Sequence, residues 1–163
     1  LINLAKKNPD FRGIGIDVNE GAVMLAQQSV RAAELEERIT VVHADASWLE
    51  QRPEFHEVEG VFCFFMGHDL WPRKNCLQSF KRIREVFPNL KRFLLSDTYR
   101  SDLPPSPDVP IFALGFEVSH AVMGQYLPSV KEWLGLFEEA GWNCVARQDI
   151  GIPYSSIFDL RPL

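Results

Sequence analysis

The sequence predicts an α/β fold, with a mostly parallel β-sheet that carries helices on both faces and ends in an antiparallel hairpin. Short apolar runs rich in β-branched residues alternate with longer segments in which apolar residues recur every three or four positions. Two further extended segments, joined through Gly151 and Pro153, close the chain. The length of 163 residues and a hydrophobic content of 46% suit a single domain with a buried core.

Each element follows from its local pattern. The predicted strands cover residues 13–18, 39–44, 60–66, 92–96, 143–149 and 155–160. The predicted helices are a short one ended by Pro9, one over 20–37, one with the inner stripe Leu77, Phe80, Ile83 and Phe87, and one that follows Ser129.

Two segments near the end of the chain carry strong local signals. Ser129 and Glu132 have the spacing of a capping box, and Gly141 stands where a helix C-terminus favours glycine. The segment 102–110 contains four prolines in its sequence DLPPSPDVP, so we expect a stiff loop there.

Charge and composition exclude several classes of partner. The formal net charge is -5 and there is no basic run, which argues against a nucleic-acid partner. No apolar stretch is long enough to cross a bilayer, so we expect no membrane association and a cytoplasmic location. The three cysteines, Cys63, Cys76 and Cys144, form no CxxC pair and suit buried positions better than disulfides or zinc ligands.

Two acidic residues stand where predicted strands end. In an open parallel sheet, ligands bind beyond the carboxyl ends of the strands. Asp17 could there accept hydrogen bonds from ribose hydroxyls, or it could only cap the next helix. Asp45 could accept one from an adenine amino group, with Ala46 and Trp48 as apolar contacts, or it could be a solvated loop residue. A nucleoside-containing cofactor is therefore predicted, although nicotinamide enzymes also use an acid in the position of Asp17.

Three segments around these strand ends resemble, in order, successive cofactor-binding motifs of class I S-adenosylmethionine-dependent methyltransferases. They are GIGIDVNEGAVMLAQ, ITVVHADASW and the strand end FFMGH, and the closing segment LPSVKEWLGLFEEAGWNCVARQDIG is similar to the end of that family. The resemblance implies a Rossmann-like sheet, with Asp17 on the ribose and Asp45 on the adenine of S-adenosylmethionine. The predicted cofactor-binding residues are Asp17, Val18, Asp45, Ala46 and Phe65.

One expected motif has no match in the sequence. The family has a strand and a glycine-rich loop before the acid that holds the ribose, and the glycines of GIGID lie inside a strand instead. We therefore expect residues 1–163 to form a single methyltransferase catalytic domain that lacks its first strand and is incomplete at the N-terminus. Because relatives often dimerise through an N-terminal domain, a homodimer is an open alternative.

The segment GHDLWPRKNCLQSF resembles the HDW segment of plant-type small-molecule O-methyltransferases. That resemblance implies that His68 is the general base that removes the proton of an acceptor hydroxyl. A histidine with a near-neutral pKa suits this task.

A second resemblance uses more residues. The GHD segment and the later FEVSHAVMGQYLP resemble a metal-dependent branch that methylates carbon next to a carbonyl, in α-keto acids or acyl groups. It implies that His68 and His120 hold one metal ion, iron(II) or another first-row divalent ion, with Asp69 and Gln125 as further ligands. Such an ion would acidify the neighbouring C–H bond. His68 and Asp69 are then the predicted catalytic residues.

The sequence thus predicts a methyltransferase that acts on a small molecule, with metal-assisted C-methylation favoured. The alternatives are O-methylation with His68 as the base, a nicotinamide-dependent oxidoreductase, and a noncatalytic methyltransferase-like fragment. Asp97, Tyr99 and Arg100 follow the strand predicted to end at Ser96, and Arg100 is a weaker candidate for binding a substrate carboxylate.

Overall fold

The computed structural model describes residues 1–101 and 108–163 and divides the chain into two compact units, residues 1–49 and 50–163. Each unit is described by itself. The predicted loop over 102–110 falls mainly on residues 102–107, which lie outside the described residues.

The first unit is a pair of parallel strands with two helices. It contains α1 (Ile2–Lys7), β1 (Gly13–Asp17), α2 (Glu20–Ala32) and β2 (Ile39–His43). Asn19 begins α2 by accepting a hydrogen bond from the backbone N–H of Ala22 at 2.9 Å. The small core of this unit consists of Ala5, Val30, Leu35 and Ile39, with Ile2, Phe11, Ala33 and Val41 packed against it.

The second unit contains a four-stranded mixed sheet. Its elements are β3 (Gly60–Phe64), α3 (Arg73–Val86), β4 (Arg92–Thr98), α4 (Ile111–Val122), α5 (Val130–Glu139), β5 (Trp142–Asp149) and β6 (Ser155–Pro162). The strand order is β3-β4-β6-β5, in which β3 and β4 are parallel and the other neighbours antiparallel. Short 3₁₀ turns, Pro53–Glu57 and Gly67–Leu70, lie on either side of β3.

Aromatic side chains dominate the core of the second unit. Trp133, Leu136 and Phe137 of α5 are fully buried. The rings packed in contact around them include Phe80, Phe93, Trp142 and Phe158. The indole N–H of Trp142 donates to the carbonyl of Phe80 at 3.1 Å, so this buried polar group is satisfied.

The predicted α/β class, the parallel strand pairing and the closing antiparallel hairpin are confirmed. The described strands form two sheets, with β1 and β2 in one and the remaining four in the other. The capping box of α5 is present, and Gly141 follows the helix with a φ of 79° that favours glycine. None of the helices in the described ranges has the length and apolar character needed to cross a membrane.

Several elements differ from the sequence prediction; among the strands, the one predicted over 60–66 ends at Phe64. The helix predicted over 20–37 ends at Ala32. The strand predicted to end at Ser96 continues through Asp97 to Thr98, because the polar side chains of these two residues are buried and hydrogen-bonded. The helix α4, which contains His120, was not predicted at all.

Candidate active site

Asp97 anchors the site at the end of β4. Its side chain is completely buried. One carboxylate oxygen accepts hydrogen bonds from Nδ1 of His68 at 2.7 Å and from the backbone N–H of Thr98 at 2.8 Å. The other accepts from the backbone N–H of His68 at 2.8 Å. His68 is therefore fixed through both its main chain and its ring.

His120 approaches the opposite side of the His68 ring from α4. The Nε2 atoms of the two histidines are 3.1 Å apart, and the side chains are 5% and 8% exposed. Nδ1 of His120 is 2.7 Å from the carbonyl oxygen of Phe116, one turn earlier in the helix. The Phe116 ring also packs against both imidazoles.

The hydrogen-bond partners determine where the protons lie. A backbone carbonyl can only accept, so His120 must carry a proton on Nδ1. The Asp97 carboxylate likewise requires a proton on Nδ1 of His68. When both rings are neutral, two nitrogen lone pairs face each other across 3.1 Å. One proton or one metal ion between them would turn this repulsive contact into an attractive one.

The surroundings of His68 act on its pKa in opposite directions. Burial disfavours the imidazolium and by itself lowers the pKa. The hydrogen bond and charge of Asp97, together with the charge of Asp69, outweigh burial and raise the pKa of His68 above its ordinary value. Next to these two carboxylates, the His68 ring retains its second proton more readily than a free histidine does.

Asp69 and Gln125 form a second bridge beside the histidine pair. The amide nitrogen of Gln125 donates to Oδ1 of Asp69 at 2.8 Å, and this oxygen lies 3.7 Å from Nε2 of His68. The four residues predicted as metal ligands therefore lie at one place in the second unit. Within the described part of the chain, no group of three His, Cys, Asp or Glu side chains is arranged to hold a metal ion.

An aromatic stack adjoins this bridge. The rings of Trp71 and Tyr126 stack with centroids 5.2 Å apart. The Tyr126 hydroxyl donates to Glu132 at 2.5 Å, and Arg100 pairs with the same carboxylate at 3.1 Å. Because its guanidinium already pairs with Glu132, the position of Arg100 does not support the suggested role in binding a substrate carboxylate.

The predicted cofactor-binding acids lie at the end of the first unit's strand pair. Asp17 pairs in register with His43, so the ends of β1 and β2 are adjacent. Oδ1 of Asp17 accepts a hydrogen bond from the backbone N–H of Asn19 at 2.8 Å. Oδ1 of Asp45 accepts one from the backbone N–H of Ser47, also at 2.8 Å. Both acids thus cap local turns, and each keeps a second oxygen without a partner among the described residues.

The other predicted cofactor residues line the same strand ends or follow β3. Val18 is exposed and its carbonyl accepts from Nε2 of His43 at 2.8 Å, while Ala46 is half-buried. Phe65, in the second unit, is 41% exposed and has a positive φ of 55° directly after β3. The cofactor roles of these residues stay predictions.

Sequence reasoning missed the importance of Asp97, which it placed in a loop. One signal was available: the strands predicted over 60–66 and 92–96 follow one another along the chain with a helix between them, and the carboxyl ends of parallel strands meet at one edge of a sheet. The pairing of Phe64 with Ser96 brings the residues after β3 next to Asp97. An acid at the end of β4 was thus a natural partner for the histidine after β3.

Comparisons with known proteins find methyltransferases. No family model matches the chain. It is 40% identical over 170 aligned positions to Methyltransferase ungE' of Aspergillus campestris (strain IBT 28561), covering 99% of this chain and 50% of that protein. It is 30% identical over 152 positions to Indolepyruvate C-methyltransferase of Streptomyces griseus, covering 91% of this chain and 45% of that protein.

Solved structures show the same fold. Mitomycin 7-O-methyltransferase MmcR superposes with a TM-score of 0.77 at 17% identity, covering 98% of this chain and 44% of that one. The O-methyltransferase NcsB1, solved with S-adenosylmethionine and 2-hydroxy-5-methyl naphthoic acid, superposes with a TM-score of 0.75 at 19% identity, covering 99% and 44%.

These similarities confirm the resemblance of the chain to class I S-adenosylmethionine-dependent methyltransferases, and they extend over nearly all of it. Its curated relatives include an enzyme named as a C-methyltransferase. The chain spans about half the length of the curated relatives it matches.

Proposed function

We propose that this protein transfers the methyl group of S-adenosylmethionine to a carbon next to the carbonyl of a small α-keto acid or acyl compound. The observation that carries the proposal is the 3.1 Å approach of the Nε2 atoms of His68 and His120, with Nδ1 of both rings already committed. Two converging lone pairs of this kind suit a metal ion.

Two imidazole nitrogens with an oxygen are the kind of donor set that first-row divalent ions such as iron(II) use, but among the described residues only the two imidazoles already converge, so a third ligand would have to move in on binding. His68 and His120 would hold the ion through their Nε2 atoms, the two ring nitrogens that have no other hydrogen-bond partner within the described ranges. Asp69 can contribute an oxygen if Gln125 releases it, and Gln125 has a side-chain oxygen of its own. When bound, the ion would polarise the substrate carbonyl and acidify the neighbouring C–H bond.

The residues of the chain would orient the reactants and exclude water. Asp97 holds the ring of His68 from behind, and Phe116 covers both imidazoles. In the first unit, Asp17 and Asp45 each offer a free carboxylate oxygen to S-adenosylmethionine, a donor set that fits ribose hydroxyls and an adenine amine. Alignment of donor and acceptor is the main requirement of methyl transfer.

O-methylation with His68 as the general base is the second candidate, and the Asp97–His68 pair supports it because a carboxylate behind a histidine is a common way to orient a base. The difficulty with this candidate is that a substrate hydroxyl has little access to the histidine ring. Nε2 of His68, the only ring nitrogen left for a substrate, faces His120, and the side chain is 5% exposed. An acceptor hydroxyl would have to displace His120 to reach it.

Metal removal combined with a histidine substitution separates the two candidates. Purified protein is assayed for methyl transfer to an α-keto acid such as phenylpyruvate and to a phenol, before and after chelation, and bound metal is measured by mass spectrometry. We expect C-methylation that chelation abolishes and iron(II) restores, and loss of both metal and activity in His120→Ala. His56→Ala, at an exposed histidine outside the site, is the matched control.

The opposite result identifies the alternative. If methylation occurs on oxygen, persists after chelation and survives in His120→Ala, the metal-assisted reaction is wrong and His68 acts as a base. Absence of methyl transfer to any carbon or oxygen acceptor by the metal-loaded protein would contradict both candidates.

A further inference from the structure

The contact between Asp97 and His68 depends on a residue without a side chain. Both oxygens of the buried carboxylate bind His68, one through the ring and one through the main chain. This double contact is possible only if the backbone just before His68 comes very close to β4. The residue at that point is Gly67, which begins the 67–70 turn.

Space, and not backbone conformation, requires glycine at this position. A Cβ atom on Gly67 would lie 2.8 Å from Oδ2 of Asp97, 2.8 Å from Cδ1 of Leu95 and 3.2 Å from the ring of Trp133. The first two distances are shorter than van der Waals contact allows. The carboxylate oxygen that a side chain would displace is the one that accepts the main-chain N–H of His68.

We infer that Gly67 is a positioning residue: because it has no side chain, Asp97 can hold both the main chain and the ring of His68, which keeps the Nδ1–H tautomer and directs the Nε2 lone pair towards His120. The tautomer of a histidine is set by the hydrogen bond that its other nitrogen makes. Without Asp97 in place, the proton could move to Nε2, and the atom that faces His120 would no longer be free to bind. The relevance of this inference to catalysis rests on the proposed function. The position of the proton on the His68 ring can be measured whether or not that function is correct.

Nitrogen NMR of histidine-labelled protein measures the tautomer directly. The spectrum is recorded without metal at alkaline pH, where the rings are neutral, and His68→Gln assigns the signal. In the unmodified protein we expect His68 to show a protonated Nδ1 and an unprotonated Nε2. A protonated Nε2 on His68 in this protein overturns the inference at once.

Substitutions then test the two residues separately. Gly67→Ala and Asp97→Asn should both convert the His68 signal into a mixture of tautomers, and lower kcat on the order of 100-fold, as expected when a catalytic group loses its orientation. Gly60→Ala is the matched control, because its Cβ would meet nothing nearer than a backbone oxygen at 3.9 Å. Circular dichroism confirms that each variant is folded.

The outcomes distinguish this inference from the proposed function. If Gly67→Ala, once shown to be folded, keeps the His68 tautomer of the unmodified protein, the role of Gly67 is wrong whatever the activity. If the tautomer shifts as expected but no methyl transfer is found in the unmodified protein, the positioning role stands and the proposed function fails. If Asp97→Asn does not fold, the spectra of Gly67→Ala and of the unmodified protein still test the positioning role.

Discussion

His68 and His120 meet through their Nε2 atoms at 3.1 Å, although they are 52 residues apart in the sequence. Both rings are held from behind, one by a carboxylate and the other by a backbone carbonyl. Their two lone pairs therefore converge on one point, where a positive charge is needed to make the contact favourable.

Protonation of His68 should link stability to pH. Burial lowers its pKa, but the hydrogen bond and charge of Asp97 and the charge of Asp69 hold it above the ordinary 6.5. Because the folded-state pKa is the higher one, its contribution to stability is fully present below about pH 6.5 and is lost as pH rises through the folded pKa. Urea denaturation of metal-free protein across this range should show a smaller pH dependence in His68→Gln than in the unmodified protein.

His56→Gln provides the control for that experiment, since His56 is exposed. Its free energy of unfolding should follow the unmodified protein at every pH. Equal pH dependence in His68→Gln and the unmodified protein would contradict the prediction.

Substitution of the acids at the strand ends should weaken cofactor binding. Asp17→Asn keeps an oxygen for the backbone N–H of Asn19 but loses the charged acceptor. A hydrogen bond to a charged group is worth about 1.5–3 kcal/mol, so we expect the Kd for S-adenosylmethionine, measured by calorimetry, to rise by about 10-fold or more. Asp45→Asn should act in the same direction.

Asp10→Asn is the matched control for the acids, because Asp10 is exposed in the same unit but away from the strand ends. If Asp17→Asn binds the cofactor as tightly as this control, the role of Asp17 is limited to capping the turn before α2.

The core of the second unit should depend strongly on one face of α5. Leu136 is fully buried, whereas Leu134 on the same helix is 42% exposed. Leu136→Ala should lower the free energy of unfolding by about 2–5 kcal/mol, because it removes buried apolar contacts and leaves a cavity. Leu134→Ala should cost much less. Chemical denaturation of the two variants measures the difference, and similar losses would show that the two faces are not distinguished by packing.

The capping box of α5 should make a smaller, measurable contribution. The Ser129 hydroxyl accepts a hydrogen bond from the backbone N–H of Glu132 at 3.3 Å. The Glu132 carboxylate accepts one from the backbone N–H of Ser129 at 2.8 Å. Ser129→Ala should therefore cost about 1 kcal/mol in thermal or chemical unfolding. Ser119→Ala, in the interior of α4 and exposed, is the comparison for which we expect little change. A loss in Ser119→Ala as large as in Ser129→Ala would argue against the cap.

Elements with a clear local pattern were predictable from the sequence. The stripe of α2, in which Val23 and Val30 are buried, and the start of α5 at Ser129 depend on neighbours three or four positions away. The helix α4 escaped prediction because large apolar residues occur all around it and most of them are exposed, among them Ile111 and Val122. Such a helix has no stripe to detect.

The site was predictable in part. Its two histidines came from family resemblance, and the structure brings them together. The extension of β4 through Asp97 and Thr98 was not predicted, because polar residues at the end of an apolar run usually mark a loop. Here tertiary hydrogen bonds to His68 and Ser155 satisfy the buried side chains. A pattern along the chain carries no information about partners that far away.

The burial of α4 is concentrated in two residues, Ala113 and His120. A helix with so little buried apolar surface depends for its order on a few specific contacts, and His120 supplies one of them. A proton or metal ion held between the two Nε2 atoms would stabilise the arrangement in which His120 contacts His68, by linkage. We therefore expect amide hydrogen exchange along α4 to slow when an ion is bound between the two histidines. The exchange rate of this helix would then report whether the site is occupied.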